Sequence, residues 1–420
     1  MENFQFEDGS IQPRYDSYCL SNVTSTLLSA LGVENGRTKL PGDLFEGVDL
    51  TGVENVVLFV FDGLGYNEWR RQARTGFFGE LEEKGRVTPI TTVFPSTTSA
   101  ALTTLTTGLT PQEHSLVEWF LYLKEADMVI QTLPFSPMGA NGMDLLLPKV
   151  GVEVLMTGRS VFAGLAREGV EPRSYLPARI SGSAYTGLMH GASQIHPYSD
   201  ASDLVVDLRK SLESGKRPSF HYVYWSYIDK VEHLFGPNSE EAYIEAARIS
   251  SAMSTGLTDK LDKETAARTL YVAVADHGHV NSPMEDTVWL NRYEELERSL
   301  AESPAGRSIF PWGAPRDVYL RIRDDKLDEV HDYLSLRLAD TAAVVRSADL
   351  VGTGVFGSGT PSRTFLERVG NLAILPRGKK SVWYRHPGVQ DLGLAGQHGG
   401  MHVDEMTVPF AVARASSVSA

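Results

Sequence analysis

The amino-acid sequence predicts an α/β protein in which a doubly wound, mainly parallel sheet carries a smaller α+β insertion. Short, apolar, β-branched segments alternate with helical segments over the first 280 residues. Beyond that point the alternation gives way to short strands around one amphipathic helix. Acidic and histidine residues directly follow several of the apolar segments. They are therefore expected at the carboxyl ends of strands, where sheets of this kind bind their ligands.

The strands of the main sheet are predicted from apolar runs that suit a strand buried on both faces. The run VENVVLFVF is followed by Asp62, and the run TLYVAVA is followed by Asp276. Glycine and proline soon after residue 107 support a helix that ends there. The predicted strands are residues 53–61, 153–157, 219–225, 269–275 and 408–413, and the predicted helices are 96–107, 161–168 and 243–261.

The insertion is predicted over residues 281–385, which leaves residues 1–280 and 386–420 as the two parts of the core. A helix over 325–339 is amphipathic, with Leu327, Val330, Leu334 and Leu338 on one face. Short strands are predicted at 317–322, 342–345 and 372–375. This mixture is typical of a small α+β unit that covers one side of a larger sheet.

Composition restricts the function. With 39 basic and 53 acidic residues, the net charge is −14, and the chain has no long basic run. Broad nucleic-acid binding is therefore not expected, because phosphate backbones are bound by clusters of Lys and Arg. We expect a small-molecule partner, and bound metal ions would supply the positive charge that an anionic substrate needs.

Cys19 is the only cysteine, so no intrachain disulfide is possible and no oxidising compartment is indicated. The first 18 residues lack the basic start and apolar centre of a signal peptide. No apolar run reaches the length of a membrane span. We expect a cytoplasmic protein without membrane attachment, and the sequence does not determine its oligomeric state.

Six acidic and histidine residues are candidate metal ligands. Asp229 and His233 are four residues apart, which places both on one face of a helix. The alternatives are a surface Asp–His pair there, and a β-turn aspartate with an incidental histidine at Asp276-His277. The histidine of a glycine-flanked loop is the last candidate, and His402 is its rival. The candidate ligands are Asp62, Asp229, His233, Asp276, His277 and His398.

Hydroxyl residues at the start of the helix after Phe94-Pro95 provide a candidate nucleophile. At a helix start such residues are usually N-caps, and this interpretation suits Ser96 and Thr97. A helix N-terminus also binds anions, and a hydroxyl held there beside a metal ion loses its proton more easily. The turn Asp62-Gly63-Leu64-Gly65 lacks the third glycine of a dinucleotide fingerprint, so that interpretation is not favoured.

Five segments in this order resemble the alkaline phosphatase superfamily, and most closely its nucleotide pyrophosphatase/phosphodiesterase branch. They extend from about residue 53 to residue 410 and leave out the insertion. The matching segments are VVLFVFDGLG, VFPSTTSAALTTLTTGLTPQEHS, YIDKVEHLFGP, VADHGH and GQHGGMHVDEMTVPF. The resemblance implies an alkaline phosphatase-like core and two divalent metal ions, usually Zn²⁺, with Mn²⁺ as an alternative.

The resemblance also distributes the ligands. Asp229, His233 and His398 resemble the ligands of one ion, and His398 is preferred to His402 because of the Gly and the Met-x-x-Pro-like segment that follow it. Asp62, Asp276 and His277 resemble the ligands of the other ion, together with the nucleophile hydroxyl. In the family that hydroxyl stands nine residues before a Thr-Gly pair, here Thr107-Gly108. The count points to Thr98, with Thr97 second.

The resemblance implies a metal-dependent phosphohydrolase that cleaves phosphodiester or pyrophosphate bonds of nucleotide-like substrates through a phosphothreonine. No motif supplies the extra arginine or third metal that monoesterases of the superfamily tend to have. The aromatic residues Trp119, Phe120 and Tyr122 are candidates for a leaving-group pocket or for core. The alternatives are a phosphomonoesterase or phosphonate hydrolase at the same site, and a manganese-dependent phosphomutase.

Overall fold

The computed structural model describes residues 9–390 and 393–418, which form two seven-stranded sheets with helices around them. Within these residues the strands are β1 (Asn55–Phe61), β2 (Arg86–Thr91), β3 (Phe120–Leu123), β4 (Met128–Gln131), β5 (Ser136–Pro137), β6 (Glu171–Pro177), β7 (Gln194–Tyr198), β8 (Ser219–Trp225), β9 (Thr269–Val274), β10 (Val280–Asn281), β11 (Val288–Trp289), β12 (Trp312–Ala314), β13 (Asp317–Leu320), β14 (Ala342–Arg346), β15 (Leu372–Pro376), β16 (Val382–Trp383), β17 (Gly396–Gln397) and β18 (Thr407–Arg414).

The helices pack on both faces of the central sheet and beside the second sheet. In the same described ranges they are α1 (Val23–Ala30), α2 (Tyr66–Gln72), α3 (Gly76–Lys84), α4 (Thr98–Thr107), α5 (Pro111–His114), α6 (Phe162–Arg167), α7 (Ala184–His190), α8 (Ala201–Ser214), α9 (Tyr227–Phe235), α10 (Glu240–Met253), α11 (Lys263–Ala266), α12 (Glu294–Ser299), α13 (Leu327–Arg337), α14 (Ser347–Gly352), α15 (Arg363–Arg368), α16 (Val403–Met406) and α17 (Ala415–Val418). None is long and apolar enough to cross a membrane.

The central sheet has the strand order β2-β18-β9-β1-β8-β6-β7 and is parallel except for β18, which confirms the predicted fold class. Every residue of β1, β8 and β9 is buried, as expected for strands covered on both faces. Phe61 pairs with Trp225, and Val60 pairs with Val274. This register brings the ends of the three strands together at one edge of the sheet.

One predicted strand is wrong. Residues 153–157 contain most of a 3₁₀ helix, Val152–Leu155, in which only Leu155 is buried. Five residues were too few for the apolar pattern to separate a strand from a helical turn. Strands β6 and β7 were missed because their sequences EPRSYLP and QIHPY have prolines and polar residues instead of an apolar run.

The second sheet has the order β14-β15-β13-β12-β3-β4-β5. Its strands β12 to β15 belong to the predicted insertion, but β3, β4 and β5 come from residues 120–137, which the sequence prediction placed in the core. Phe120 pairs with Gly313, so the sheet joins segments far apart in the chain. Phe120 also stacks on Trp383, with 6.0 Å between ring centres. Phe120 is partly buried and therefore packs against the core of the second sheet.

Buried charges connect the second sheet to the loop before β18. Arg316 and Glu405 are fully buried and form two hydrogen bonds, of 2.9 and 2.8 Å. Glu405 also accepts a hydrogen bond of 3.0 Å from the Gly400 N–H. The 398–400 loop is thus held by α16, which in turn is bonded to the turn between β12 and β13.

Candidate active site

The strand ends of the central sheet hold the first group of candidate ligands. Asp229 is in the first turn of α9 and His233 is one turn later, and the distance from Asp229 Oδ1 to His233 Nε2 is 3.4 Å. His398 comes from the loop after β17, with its Nε2 3.2 Å from His233 Nε2 and 3.7 Å from Asp229 Oδ1. The structure therefore brings together the three residues of the first predicted triad.

The second group lies beside the first. Asp62 follows β1, and Asp276 and His277 follow β9. The distances from His277 Nε2 are 3.5 Å to Asp62 Oδ1 and 3.3 Å to Asp276 Oδ2. Ligand atoms of Asp62, Asp229 and His277 all lie within 4.8 Å of one another. Asp229 therefore contributes to both groups, whereas the resemblance divides the ligands into two separate triads.

A glycine allows the two groups to approach each other. Gly63 has a φ of +81°, and a Cβ added to it would lie 2.9 Å from the Cα of Asp229. The Asp229 N–H donates a hydrogen bond of 3.0 Å to the Asp62 carbonyl oxygen. Only glycine fits both this backbone conformation and this contact.

Thr98 is the first residue of α4 and faces the second group. Its Oγ1 lies 3.0 Å from His277 Nε2. The other ring nitrogen of His277, Nδ1, lies 3.3 Å from the Gly278 carbonyl oxygen, which can only accept a hydrogen bond. Burial lowers the pKa of His277 well below its usual value, so the ring is neutral and Nδ1 carries its hydrogen. The Thr98 hydroxyl therefore donates to Nε2.

The rival residues have other roles. Thr97 is the N-cap of α4, and its hydroxyl faces the Ala100 N–H. His402 caps α16 by accepting a hydrogen bond of 3.1 Å from the Asp404 N–H. His398 is held instead by Ser96, whose carbonyl oxygen accepts its Nδ1–H at 3.0 Å.

The polar atoms of the two groups suit bound cations. Among the described residues, Asp62 Oδ1, Asp229 Oδ1 and Asp276 Oδ2 are buried without a hydrogen-bond partner. In both His233 and His398 the Nδ1 atom faces a carbonyl oxygen and therefore carries the ring hydrogen. The two Nε2 atoms, which have the lone pairs, lie 3.2 Å from each other. Such an arrangement is costly unless positive charge lies between these atoms.

The pKa values of the carboxylates also indicate that positive charge is needed at the site. Burial, and then the charges of Asp276 and Asp229, raise the pKa of Asp62 well above its usual value. Burial raises the pKa of Asp276 to about 7. Burial also raises the pKa of Asp229, but the imidazoles of His233, His279 and His398 outweigh it and hold that pKa below its usual value. Without cations these buried acids oppose one another's ionisation.

Tyr224 supports the second group from β8. Its buried hydroxyl donates a short hydrogen bond to Asp62 Oδ2. The Gly63 N–H and the His277 N–H donate hydrogen bonds of 3.1 and 3.0 Å to Asp276 Oδ1. One oxygen of each carboxylate is therefore held by the protein, and the other faces the site.

His279 is part of the site but was missed from the sequence. It lies two residues after His277, and its Nε2 is 3.3 Å from Asp229 Oδ1. It forms a group with Asp229, His233 and His398 in which all ligand atoms lie within 4.8 Å of one another. The segment DHGH contained the only signal, because a one-residue spacing at a strand exit lets two histidines face the same side.

A cleft of about 670 Å³ opens over Thr98 and the two groups. Trp119 lines it, whereas Tyr122 packs against Trp312 elsewhere, with 5.9 Å between ring centres. The cationic side chains at the cleft are the exposed Arg179 and Lys230. Its apolar wall includes Leu133, Pro134, Met143, Leu234 and Leu394.

The doubly wound sheet and the acidic and histidine residues at its strand ends define a protein of the alkaline phosphatase superfamily. The sequence profile of the type I phosphodiesterase / nucleotide pyrophosphatase family matches residues 56–401, and the chain belongs to this family. Membership confirms the predicted resemblance and supports hydrolysis of phosphodiester or pyrophosphate bonds. No curated protein matches the chain by sequence.

Solved structures show the same fold. Murine ectonucleotide pyrophosphatase / phosphodiesterase 5 superposes with a TM-score of 0.64 at 16% identity, over 85% of this chain and 87% of that chain. An inactive variant of that murine protein in complex with AMP gives the same values. The human protein of the same name has a TM-score of 0.61 at 16% identity, with the same coverage.

Proposed function

We propose that this protein hydrolyses phosphodiester or pyrophosphate bonds of nucleotide-like small molecules, with two divalent metal ions and a phosphothreonine at Thr98. The main support is the position of the Thr98 hydroxyl, 3.0 Å from His277 Nε2 at the start of α4 and facing the second group of candidate ligands. Buried oxygens of Asp62, Asp229 and Asp276 that have no hydrogen-bond partner in the described part of the chain support the metal requirement.

In this proposal the candidate ligands divide between two ions. Asp229, His233 and His398 would hold one ion, and Asp62, Asp276, His277 and Thr98 would hold the other, with Zn²⁺ first and Mn²⁺ second. Bound ions supply positive charge to the entering and leaving oxygens and lower the pKa of hydroxyl and water. Histidine and carboxylate ligands suit these first-row ions.

The covalent step is a displacement at phosphorus. Thr98 Oγ1 forms a bond to phosphorus while the bond from phosphorus to the leaving oxygen breaks, and the threonine proton passes to water. The leaving oxygen takes up a proton from water. A second water then forms a bond to phosphorus while the bond from phosphorus to Thr98 Oγ1 breaks, so that the phosphoryl product leaves and a proton of that water restores the Thr98 hydroxyl. Backbone N–H groups at the start of α4 would donate hydrogen bonds to an equatorial phosphoryl oxygen.

The apolar and aromatic wall of the cleft supports a nucleotide-like leaving group. Trp119 provides a flat surface for a base, and the neighbouring aliphatic side chains exclude water around it. A murine protein of the same overall fold is known in complex with AMP. We propose that a nucleoside or a group of similar size occupies the cleft.

The proposal is tested by assaying metal content and two substrates. We expect zinc or manganese in unchelated protein, and faster turnover of bis-p-nitrophenyl phosphate than of p-nitrophenyl phosphate. Acid-quenched enzyme should have a phosphoryl group on Thr98 by peptide mass spectrometry. Turnover of the monoester alone would contradict the diesterase proposal, and absence of activity with added zinc or manganese would contradict the metal proposal.

Arg179 and Lys230 favour one second candidate, a phosphomonoesterase. A monoester has one more negative charge than a diester, and these two side chains are cations at the cleft. Arg179 Nη2 donates a hydrogen bond of 3.1 Å to Ser226 Oγ, just before α9. A pyrophosphate substrate has a second phosphoryl group and would use the same cations, so the two-substrate assay decides between these functions.

A further inference from the structure

His279 is buried beside the first group of candidate ligands, although the resemblance gives it no role there. Its side chain is fully buried between Asp229 and Glu232. Nε2 lies 3.3 Å from Asp229 Oδ1, and Nδ1 lies 2.8 Å from Glu232 Oε2. Its ring centre is 4.8 Å from that of His233 and 4.9 Å from that of His398. Three imidazoles thus surround one carboxylate oxygen.

The three imidazoles are oriented in the same way. The outer nitrogen of each, Nδ1, faces a protein acceptor, which is Gly396 O for His233 at 2.8 Å and Ser96 O for His398 at 3.0 Å. For His279 the group that faces Nδ1 is the buried carboxylate of Glu232, at a distance of 2.8 Å. In each case Nε2 points to the centre of the group. Metal-bound histidines have this arrangement, because the outer contact orients the ring and makes the inner nitrogen more basic.

A different role would be an imidazolium that only connects Asp229 to Glu232. Charge-assisted hydrogen bonds from nitrogen to carboxylate are about 2.7–2.9 Å long and aligned. The contact from Nε2 to Asp229 is 3.3 Å, and neither atom has an aligned hydrogen-bond partner among the described residues. Nδ1 is close to Glu232 but is also not aligned with it. A buried nitrogen of this kind needs another partner.

We propose that His279 is a fourth protein ligand of the ion held by Asp229, His233 and His398, and that Glu232 positions its ring. This inference rests on the proposed metal dependence and goes beyond the three ligands that the resemblance implies. Three imidazoles and one carboxylate favour zinc or a similar first-row ion. They disfavour Mg²⁺ and Ca²⁺, which prefer oxygen ligands.

The test is the zinc affinity of His279→Ala, measured by competition with a chromophoric chelator. We expect the zinc affinity of one of the two sites to fall at least 10–100-fold, which is the usual loss when a residue that orients a metal ligand is replaced. The visible absorption of the cobalt-loaded protein should change with it. His402→Ala is the matched control, because His402 lies close in sequence to His398 but belongs to neither group; its affinity and cobalt spectrum should stay as in the wild type.

Two further measurements do not depend on the folding of His279→Ala. Glu232→Gln should weaken zinc binding about tenfold, because the neutral amide loses the charge that faces Nδ1. X-ray absorption of the zinc-loaded wild type should count four imidazoles over the two sites. A count of three, or unchanged zinc affinity in both variants, would overturn the inference. Tight zinc binding that depends on His279 in a protein without phosphoesterase activity would instead refute the proposed function alone.

Discussion

Thr98 donates a hydrogen bond to His277 across 3.0 Å, which links the first residue of α4 to the residue that follows Asp276. The tautomer of His277 determines the direction of this bond, since its Nδ1 faces a carbonyl oxygen. Thr97, the adjacent residue, points back into its own helix. The two threonines are therefore expected to respond differently to the same substitution.

Thr98→Ala should reduce the turnover of bis-p-nitrophenyl phosphate by roughly a thousandfold or more, since the nucleophile oxygen is removed. Thr97→Ala should leave turnover within a fewfold of the wild type and lower the free energy of unfolding by about 1 kcal/mol, the usual value of an N-cap. Steady-state kinetics and denaturant unfolding measure the two effects. The opposite pattern would assign the nucleophile to Thr97.

Tyr224→Phe should weaken zinc binding at the second group by about tenfold, because the substitution removes the hydroxyl that supports Asp62. Tyr222→Phe is the matched control on the same strand. The Tyr222 hydroxyl is buried and has no hydrogen-bond partner in the described part of the chain. Chelator competition should separate the two variants, and equal affinities would show that the Tyr224 hydroxyl does not support the site.

Arg179→Ala should reduce kcat/KM for p-nitrophenyl phosphate by about tenfold, which corresponds to about 1.4 kcal/mol of lost charge recognition. The effect on bis-p-nitrophenyl phosphate should be smaller, since the diester has one negative charge fewer. Arg167→Ala, which removes an exposed arginine outside the cleft, should change neither value. An equal decrease in kcat/KM for both substrates in Arg179→Ala would indicate that Arg179 does not distinguish the monoester from the diester by charge.

The pH dependence of stability should include a contribution from Glu118. Burial raises the pKa of Glu118 to about 8, and burial beside Glu118 raises the pKa of Asp317 well above its usual value. A raised pKa means that the folded state binds more protons than the unfolded state. Stability is therefore fully present at acidic pH and is lost as the pH rises from the ordinary carboxyl range through about 8.

Glu118→Gln should flatten this loss, because the amide stays neutral and still offers a donor to Asp317. The difference at pH 8.5 is expected to be about 3 kcal/mol or less. Thermal unfolding at several pH values measures it. Glu125→Gln removes an exposed carboxylate and should keep the wild-type pH profile. A Glu118→Gln profile as steep as that of the wild type would assign the pH dependence to other groups.

The strand ends were predictable because a strand that is buried on both faces needs a continuous run of apolar residues. Asp62 and Asp276 follow such runs, so their convergence required only the rule that ligands bind at carboxyl ends of parallel strands. Asp229 needed the additional i, i+4 spacing with His233. The sequence predicted the location of these residues and the resemblance predicted their grouping, whereas the sharing of Asp229 between two groups needed coordinates.

The remaining features depend on contacts that no local pattern encodes. His279 lies between Asp229 and Glu232, which are on a different element, so its sequence position alone could not distinguish it from a loop histidine. Strand β6 is almost entirely buried in spite of its polar sequence, because neighbouring elements satisfy its side chains; the Ser174 hydroxyl, for example, lies 2.9 Å from His190 Nδ1. Strand β7 is a partly exposed edge strand in which Tyr198 is buried. The buried acids Glu118 and Asp317 are distant in sequence, and the fold places both beside Gly399.

The second sheet also has a consequence for biosynthesis. Phe120 in β3 pairs with Gly313 in β12, so the β3–β5 meander emerges from a ribosome long before its partner strand is made. During that interval its outer edge has unpaired N–H and C=O groups and is exposed to association with other chains. A nascent chain arrested before β12 should therefore aggregate or recruit chaperones, and excision of residues 281–385 should leave an adhesive edge on the remaining protein.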